Sequence, residues 1–277
     1  MKQIFKKSFL LSFLFLGLVS CEKEDDTPAF QTSESQVALV GEDNMRDLGG
    51  YVSSNGKHVL YGNLYRSGEL NGLTTEDVAK LSSLGIRRVI DLRTETEMTE
   101  KPDHLPTGVV NYHLSLLADI PGSSTSQQEL MGQIMSGTVL AEDYMLPLYT
   151  LDSQKITNFR AIFDLLQSGG TTLWHCTAGK DRAGMTTALV LSALDVPRET
   201  IVQDFMKSND YLSSYINGTV SYLNSTYGPG IGDKMIPMLG VEQIYIEAFF
   251  NDIETKYGSV NNFLTNELKV DKSKMKK

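Results

Sequence analysis

Residues 175–184 read His-Cys-Thr-Ala-Gly-Lys-Asp-Arg-Ala-Gly, placing five residues between Cys176 and Arg182. The run before them, Thr171–Cys176, is β-branched and aromatic, suited to a buried strand. The run after them, Met185–Leu194, is apolar and small, suited to a buried helix. A chain wrapped between such a strand end and such a helix start aims several backbone N–H groups at one point, where the positive end of the helix dipole adds to them. The expected anion nest comprises Thr177, Ala178, Gly179, Lys180, Ala183 and Gly184. Gly179 leaves room where a Cβ would obstruct, and the planar guanidinium of Arg182 can hold two phosphoryl oxygens at once, which lysine cannot. The same field favours a thiolate on Cys176, making it both nucleophile and leaving group. Cys176 and Arg182 are therefore the expected catalytic pair for displacement at a bound phosphoryl group, and His175 a support for the loop. Competing motifs fail: a nucleotide-binding GxxxxGK[ST] would need Gly at Trp174 and Ser or Thr at Asp181, and there is no G-x-S-x-G nucleophile elbow.

These residues need a scaffold. Thr74 and Asp77 form a capping box ahead of a helix over 74–84, with Leu73 and Val78 as its staple and Gly85 as its stop. Ile86–Leu92 reads as a strand, and the spacing of Ile156, Phe159, Ile162, Phe163 and Leu166 as a helical stripe closed by Gly169-Gly170. Pro197 opens another helix, and 241–268 is helical with a break at Gly258. Strands alternating with helices predict an α/β fold with a mostly parallel central sheet, whose ligands bind beyond the carboxyl ends of the strands. Asp91 and Cys176 both fall at such ends, so Asp91 is a candidate general acid, or else a structural carboxylate. Residues 114–150, rich in Gly, Ser, Thr and Met, form the least regular stretch and are expected to be an insertion or lid carrying Asp119, a more distant acid candidate.

The first twenty residues are an address. Lys2, Lys6 and Lys7 precede an apolar run, Phe9–Val19, too short to span a bilayer, which is the layout of a secretory signal peptide. Its end, Leu18-Val19-Ser20-Cys21, resembles a bacterial lipobox, so Cys21 is the expected lipidation site and the cell envelope the expected location, on the outer membrane or its surface. The acidic Glu22–Asp26 that follows resembles the surface-export signal of Bacteroidetes lipoproteins. Residues 21–36 then read as an acidic, polar tether and 37–277 as one folded domain. The formal net charge is −9, and −12 once residues 1–20, with three lysines and no acid, are set aside. That surface argues against nucleic acid as a partner. Two cysteines are too few for a disulfide scaffold, and four scattered histidines (His58, His104, His113, His175) show no metal-ligand spacing, so neither metal nor cofactor is expected.

The loop HCTAGKDRAG resembles that of the cysteine-based tyrosine phosphatases, in particular the bacterial branch reading HCxAGKDR. Asn44–Tyr51, Leu64–Gly68, Asp91-Leu92-Arg93 and the segment from Val241–Tyr245 to Tyr257–Ser259 resemble that branch too, so the likeness spans about 40–268. It implies a tyrosine-phosphatase fold, no metal, and a phosphocysteine intermediate. Phosphorylated protein or peptide and phosphoinositides are the substrates it implies, Lys180 suiting those with several phosphates. It makes Asp181 the first choice of general acid, ahead of Asp91, there being no Trp-Pro-Asp lid motif. Arg46 is given to architecture with a possible substrate contact. Many relatives carry Ser or Thr after the loop arginine; Ala183 stands here, which implies slower breakdown of the phosphoenzyme. Other readings are an inositol-polyphosphate phosphatase, a phosphate-binding module with little turnover, and a rhodanese-like sulfur carrier, though binding alone needs no thiol and the carrier needs no such arginine.

Overall fold

The computed structural model describes residues 35–117 and 123–275, with side chains from 129 in the second stretch. The expected leader, Cys21, nearly all of the expected tether and Asp119 lie outside the described residues. Packing has begun by Ser35, whose carbonyl accepts from Asp47 N at 2.8 Å, so the domain starts slightly before residue 37.

Five strands form one sheet in the order β1-β2-β5-β3-β4. They are β1 (Arg46–Asp47), β2 (Leu64–Ser67), β3 (Arg88–Asp91), β4 (Val110–His113) and β5 (Thr172–His175). Only the β1–β2 pairing is antiparallel, so the sheet is the mostly parallel one expected. In register, His175 lies opposite Ser67 on one side and Asp91 on the other. The chain therefore leaves β2, β3 and β5 at one level, and Gly68, Leu92 and Cys176 share one edge.

Helix α1 (Thr75–Ser83) begins at the expected capping box, with both the Thr74 and Asp77 halves formed. Helix α2 (Glu95–Glu100) follows β3 and carries a second box, Thr94 with Glu97. Residues 114–150 are more regular than their composition suggests: they hold α3 (Ser123–Ser136), α4 (Ala141–Met145) and a 3-10 turn, Leu146–Tyr149. Glycine, serine and threonine are weak helix formers, and this segment is held by a small core of its own instead of by propensity. That core unites Ile134, Ala141, Leu223 and Met235.

Next come α5 (Ser153–Gln167), α6 (Asp181–Ala193), α7 (Arg198–Met206), α8 (Ser208–Tyr211), α9 (Ser213–Tyr227), α10 (Ile236–Leu239) and α11 (Gln243–Tyr257). Gly258, at φ 78°, ends α11 in the left-handed conformation. Helix α6 starts at Asp181, four residues before the apolar run that advertises it. Eleven of its thirteen residues are buried, which explains a sequence apolar on nearly every side. Trp174 faces α6 and donates from Nε1 to the Ala183 carbonyl (3.3 Å) and Thr187 Oγ1 (3.1 Å). Leu173 points the other way, into a cluster with Met45, Tyr65, Leu81 and Val89.

Candidate active site

The loop after β5 is built by turning its carbonyls outward. Thr177 O accepts from Glu69 N (3.0 Å) and Ala178 O from Asn44 Nδ2 (2.9 Å). Arg66 Nη2 donates to Gly179 O (2.7 Å) and Lys180 O (3.0 Å). In a trans peptide the C=O and the next N–H point in opposite directions. Four anchored carbonyls therefore send the amides of Ala178, Gly179, Lys180 and Asp181 inward together. The first turn of α6 adds the amides of Arg182 and Ala183, which have no partner within the helix. The amide of Gly184 belongs to the helix ladder, so the nest ends at Ala183. Gly184 serves packing: a Cβ there would come within 2.7 Å of the Phe205 ring. Gly179, at φ 69°, is required for a second reason, since a Cβ would lie 2.5 Å from the Ser67 backbone.

Cys176 is buried at the strand end, 2% exposed, below this nest. Arg182, in the first turn of α6, is gripped by Glu97 of α2, a residue to which no sequence motif assigned a role. Arg182 Nη1 donates to Glu97 Oε2 at 2.6 Å and Nη2 to Oε1 at 2.9 Å. Nη2 also donates to Thr177 Oγ1 (3.0 Å), and Thr177 donates to Glu97 Oε1 (2.5 Å). This fork-to-fork pair leaves Nε of the guanidinium for an incoming oxyanion. Burial would raise the Glu97 carboxyl, but the hydrogen bonds and charge of Arg182 overcome it and hold it at about 2. Burial likewise opposes the charge on Arg182, yet Glu97 and the nearby Cys176 hold its value above the ordinary one. The available signal was the capping box: Glu97 closes α2 onto Thr94 N (2.8 Å) and reaches Arg182 with the same carboxylate.

Two predicted residues turn out to be foundations. Asp91 is fully buried, and its oxygens take Arg93 Nε (3.0 Å), Nη2 (2.7 Å) and backbone N (2.9 Å). A carboxylate so occupied is structural, so the acid role considered for it is withdrawn. Arg93 also reaches Asp103 at 2.8 Å, and Asp103 lies 3.1 Å from His175 Nε2. Asp91, Asp103 and His175 are a metal-type donor set by residue type, but the Arg93 guanidinium already supplies the cation among them. His175 joins this network through Nε2, and its Nδ1 lies 3.4 Å from the Cys176 carbonyl.

Arg46 is fully buried too. It donates from Nε to Asp204 Oδ1 (3.0 Å), from Nη2 to Asp204 O (3.0 Å) and from Nη1 to Asn44 Oδ1 (2.7 Å). Nη1 also reaches Asn44 O (3.2 Å) and Nη2 Ser208 Oγ (3.3 Å), so its guanidinium donors are spent on protein groups, against the substrate contact expected of it. Asp204 of α7 also accepts from Arg66 Nη1 (2.8 Å) and Tyr51 OH (2.7 Å). Burial would raise its carboxyl, but Arg46 and Arg66 push it far below the usual carboxylate range.

Asp181 and Lys180 stand together at the mouth. Lys180 is 5% exposed, and its Nζ lies 2.8 Å from Asp181 Oδ2, so it is no solvated rim lysine. Tyr149 OH donates to Asp181 Oδ1. Asp181 is thus the carboxylate beside the nest, and its side chain is 21% exposed.

A family model described as "Tyrosine phosphatase family" matches residues 37–277. A Cupriavidus necator protein classed among the tyrosine-protein phosphatases is 32% identical over 236 residues, 84% of each chain. The triple specificity protein phosphatase PtpB of Mycobacterium tuberculosis is 28% identical over 257 residues, 82% of this chain and 91% of its own. Among solved structures, TpbA of P. aeruginosa in complex with pTyr aligns over 64% of this chain and 80% of its own, with 13% identity and a TM-score of 0.36, too distant to bear on the site.

Proposed function

Because this chain belongs to the tyrosine phosphatase family, we propose that it hydrolyses phosphate monoesters, phosphotyrosine first among them, through a phosphocysteine on Cys176. The observation that carries the reading is the loop with four outward-anchored carbonyls, set between Cys176 at a strand end and Arg182 in the first turn of a buried helix. The inward amides and Arg182 hold the three non-bridging oxygens and gain strength as charge builds on them. The Cys176 thiolate attacks phosphorus; an S–P bond forms as the ester P–O bond breaks, and Asp181 gives its proton to the departing oxygen. Water then attacks phosphorus and loses a proton to the Asp181 carboxylate, while the S–P electron pair returns to sulfur.

Substrate breadth extends, on this reading, to phosphoserine, phosphothreonine and phosphoinositides. Lys180 supports this, since a cation beside the nest can meet a second phosphate once it leaves Asp181. The same lysine supports the alternative of an inositol-polyphosphate phosphatase, which preference for inositol hexakisphosphate over aryl phosphate would favour. The leader-like residues 1–20 and the lipobox-like end at Cys21 support a lipid-anchored protein of the cell envelope. Acyl labelling that survives in Cys21→Ala would remove that part of the proposal.

The test is hydrolysis of p-nitrophenyl phosphate by the full chain, with EDTA present, beside Cys176→Ser. Turnover that vanishes in the variant is the expected result. Turnover that persists in Cys176→Ser would exclude the phosphocysteine, and its absence from folded, reduced wild type would favour phosphate binding without catalysis.

A further inference from the structure

Resting on that reading, we infer that Tyr149 is a positioning residue for Asp181, fixing one carboxylate oxygen so that the other serves the leaving group. Tyr149 closes the 3-10 turn at the end of the 114–150 insertion, and it is fully buried. Its ring is clamped on two sides: it stacks on Tyr245 of α11 (centroids 5.4 Å apart, planes at 25°) and meets the edge of Phe205 of α7 (6.1 Å, 82°). Tyr245 is itself pinned by donating from its hydroxyl to Pro237 O at 3.1 Å. A ring held this way has one place to put its hydroxyl, and that place is Asp181 Oδ1. Burial first, and then the charge on Asp181, push the phenol well above its ordinary value, so Tyr149 remains a donor throughout the working pH range.

The two oxygens of Asp181 are therefore unequal. Oδ1 accepts from a rigid phenol and, at 3.1 Å, from Lys180 Nζ. Oδ2 meets no phenol: it faces Lys180 Nζ at 2.8 Å, on a flexible side chain that an anionic substrate can draw away from both oxygens. With a lone pair of Oδ1 engaged, the proton rides on Oδ2. In the first step Oδ2–H gives its proton to the ester oxygen, which keeps the electron pair of the broken P–O bond while Cys176 sulfur bonds to phosphorus. In the second, Oδ2 takes a proton from the attacking water and the S–P pair returns to sulfur. Tyr149 donates throughout and exchanges no proton. The insertion thereby reaches the nest through one hydroxyl and sets the aim of the acid.

Tyr149→Phe deletes that oxygen and keeps the ring, so the clamp with Tyr245 and Phe205 survives. In the full chain, kcat/KM should be measured for p-nitrophenyl phosphate, a good leaving group, and phenyl phosphate, a poor one that depends on protonation. Both are read on one preparation, so the ratio between them is independent of the fraction folded. The expected result is a loss for phenyl phosphate about tenfold greater than for p-nitrophenyl phosphate, a part of the whole general-acid factor of roughly 10²–10⁴. In an Asp181→Asn background the added Tyr149→Phe should leave that ratio unchanged. Equal losses on both substrates, or the same change of ratio without the Asp181 carboxylate, would overturn the inference and leave Tyr149 a packing residue. Wild type inactive on both substrates, or turnover surviving Cys176→Ser, would instead sink the phosphatase reading and this inference with it.

Discussion

The ground beneath the catalytic loop and the insertion beside it are built on opposite principles. Beneath the loop lie two dry ionic clusters, Arg46–Asp204–Arg66 and Asp91–Arg93–Asp103, whose side chains are at most 3% exposed. The outer part of the insertion, with α9 and α10, packs around a small cluster of four buried residues and shows much apolar surface to water: Met131, Leu140, Tyr144, Tyr215, Tyr222 and Ile236 are all exposed. Helix α9 buries Leu223 alone among its fifteen residues, whereas α6 buries nearly all of its own. An oxyanion nest gains from donors that need not reorganise when charge develops, and two of its four anchored carbonyls, those of Gly179 and Lys180, are tied to the fixed cation Arg66. The molecule spends buried charge where geometry must not move and leaves the rest to a few apolar contacts.

Removing Asp204 is the hardest blow to that arrangement. Asp204→Asn strands Arg46 and Arg66 with no carboxylate between them in a site sealed from water. Breaking a buried pair from one side costs roughly 3–5 kcal/mol, because the remaining charge stays buried. Urea unfolding should show a loss of that order. Catalysis in the surviving fold should fall in kcat more than in KM, since Arg66 also anchors Gly179 O and Lys180 O. A loss below about 1 kcal/mol would mean that water reaches the guanidiniums and that the foundation is not dry.

Glu97 tests the join between foundation and chemistry. Its carboxyl sits at about 2 in the folded protein against an ordinary 4.5, so between those values the unfolded chain binds more protons than the folded one. The stability that Glu97 contributes is complete above about 4.5 and lost as pH falls through about 2. Glu97→Gln should therefore narrow the difference in Tm between about pH 5 and about pH 3 relative to wild type. It should also slow turnover at neutral pH by up to about 10²-fold, the scale of a misplaced catalytic group, because Arg182 loses the fork that aims it. Parallel Tm-against-pH curves for the two proteins would show that Arg182 keeps its place without Glu97.

What the sequence disclosed follows from the range over which each signal acts. The capping box at Thr74 and Asp77, the strand run into Cys176 and the stop at Gly258 are local, and each element stands within a few residues of its signal. Cys176 and Arg182 were legible because loop, strand and helix are contiguous in the chain. Glu97 was not: it reaches Arg182 across 85 positions, and only the fold joins α2 to α6. Asp91 misled for the same reason, since a strand-end carboxylate looks alike whether it faces a ligand or a buried arginine two residues on. The helices of 123–145 were hidden because their core partners, Leu223 and Met235, lie some ninety residues later. Periodicity reports a face; it is silent about a partner that far away.

The smallest effect belongs to the exposed face of α9. Tyr222 is 62% exposed, so Tyr222→Ser should change stability by less than about 0.5 kcal/mol and leave p-nitrophenyl phosphate turnover unaltered. The sharper measurement is native-state hydrogen exchange on the unmutated chain. A helix that buries one side chain opens without dismantling the sheet, whereas the buried helix that carries Arg182 opens only with the whole domain. Amides of α9 should therefore exchange through a local opening whose free energy is well below the global value and nearly independent of dilute urea. Those of α6 should track global unfolding. Equal protection, with equal urea dependence, would place both helices in one cooperative unit, and the division between a rigid nest and a loosely held neighbour would then have to be abandoned.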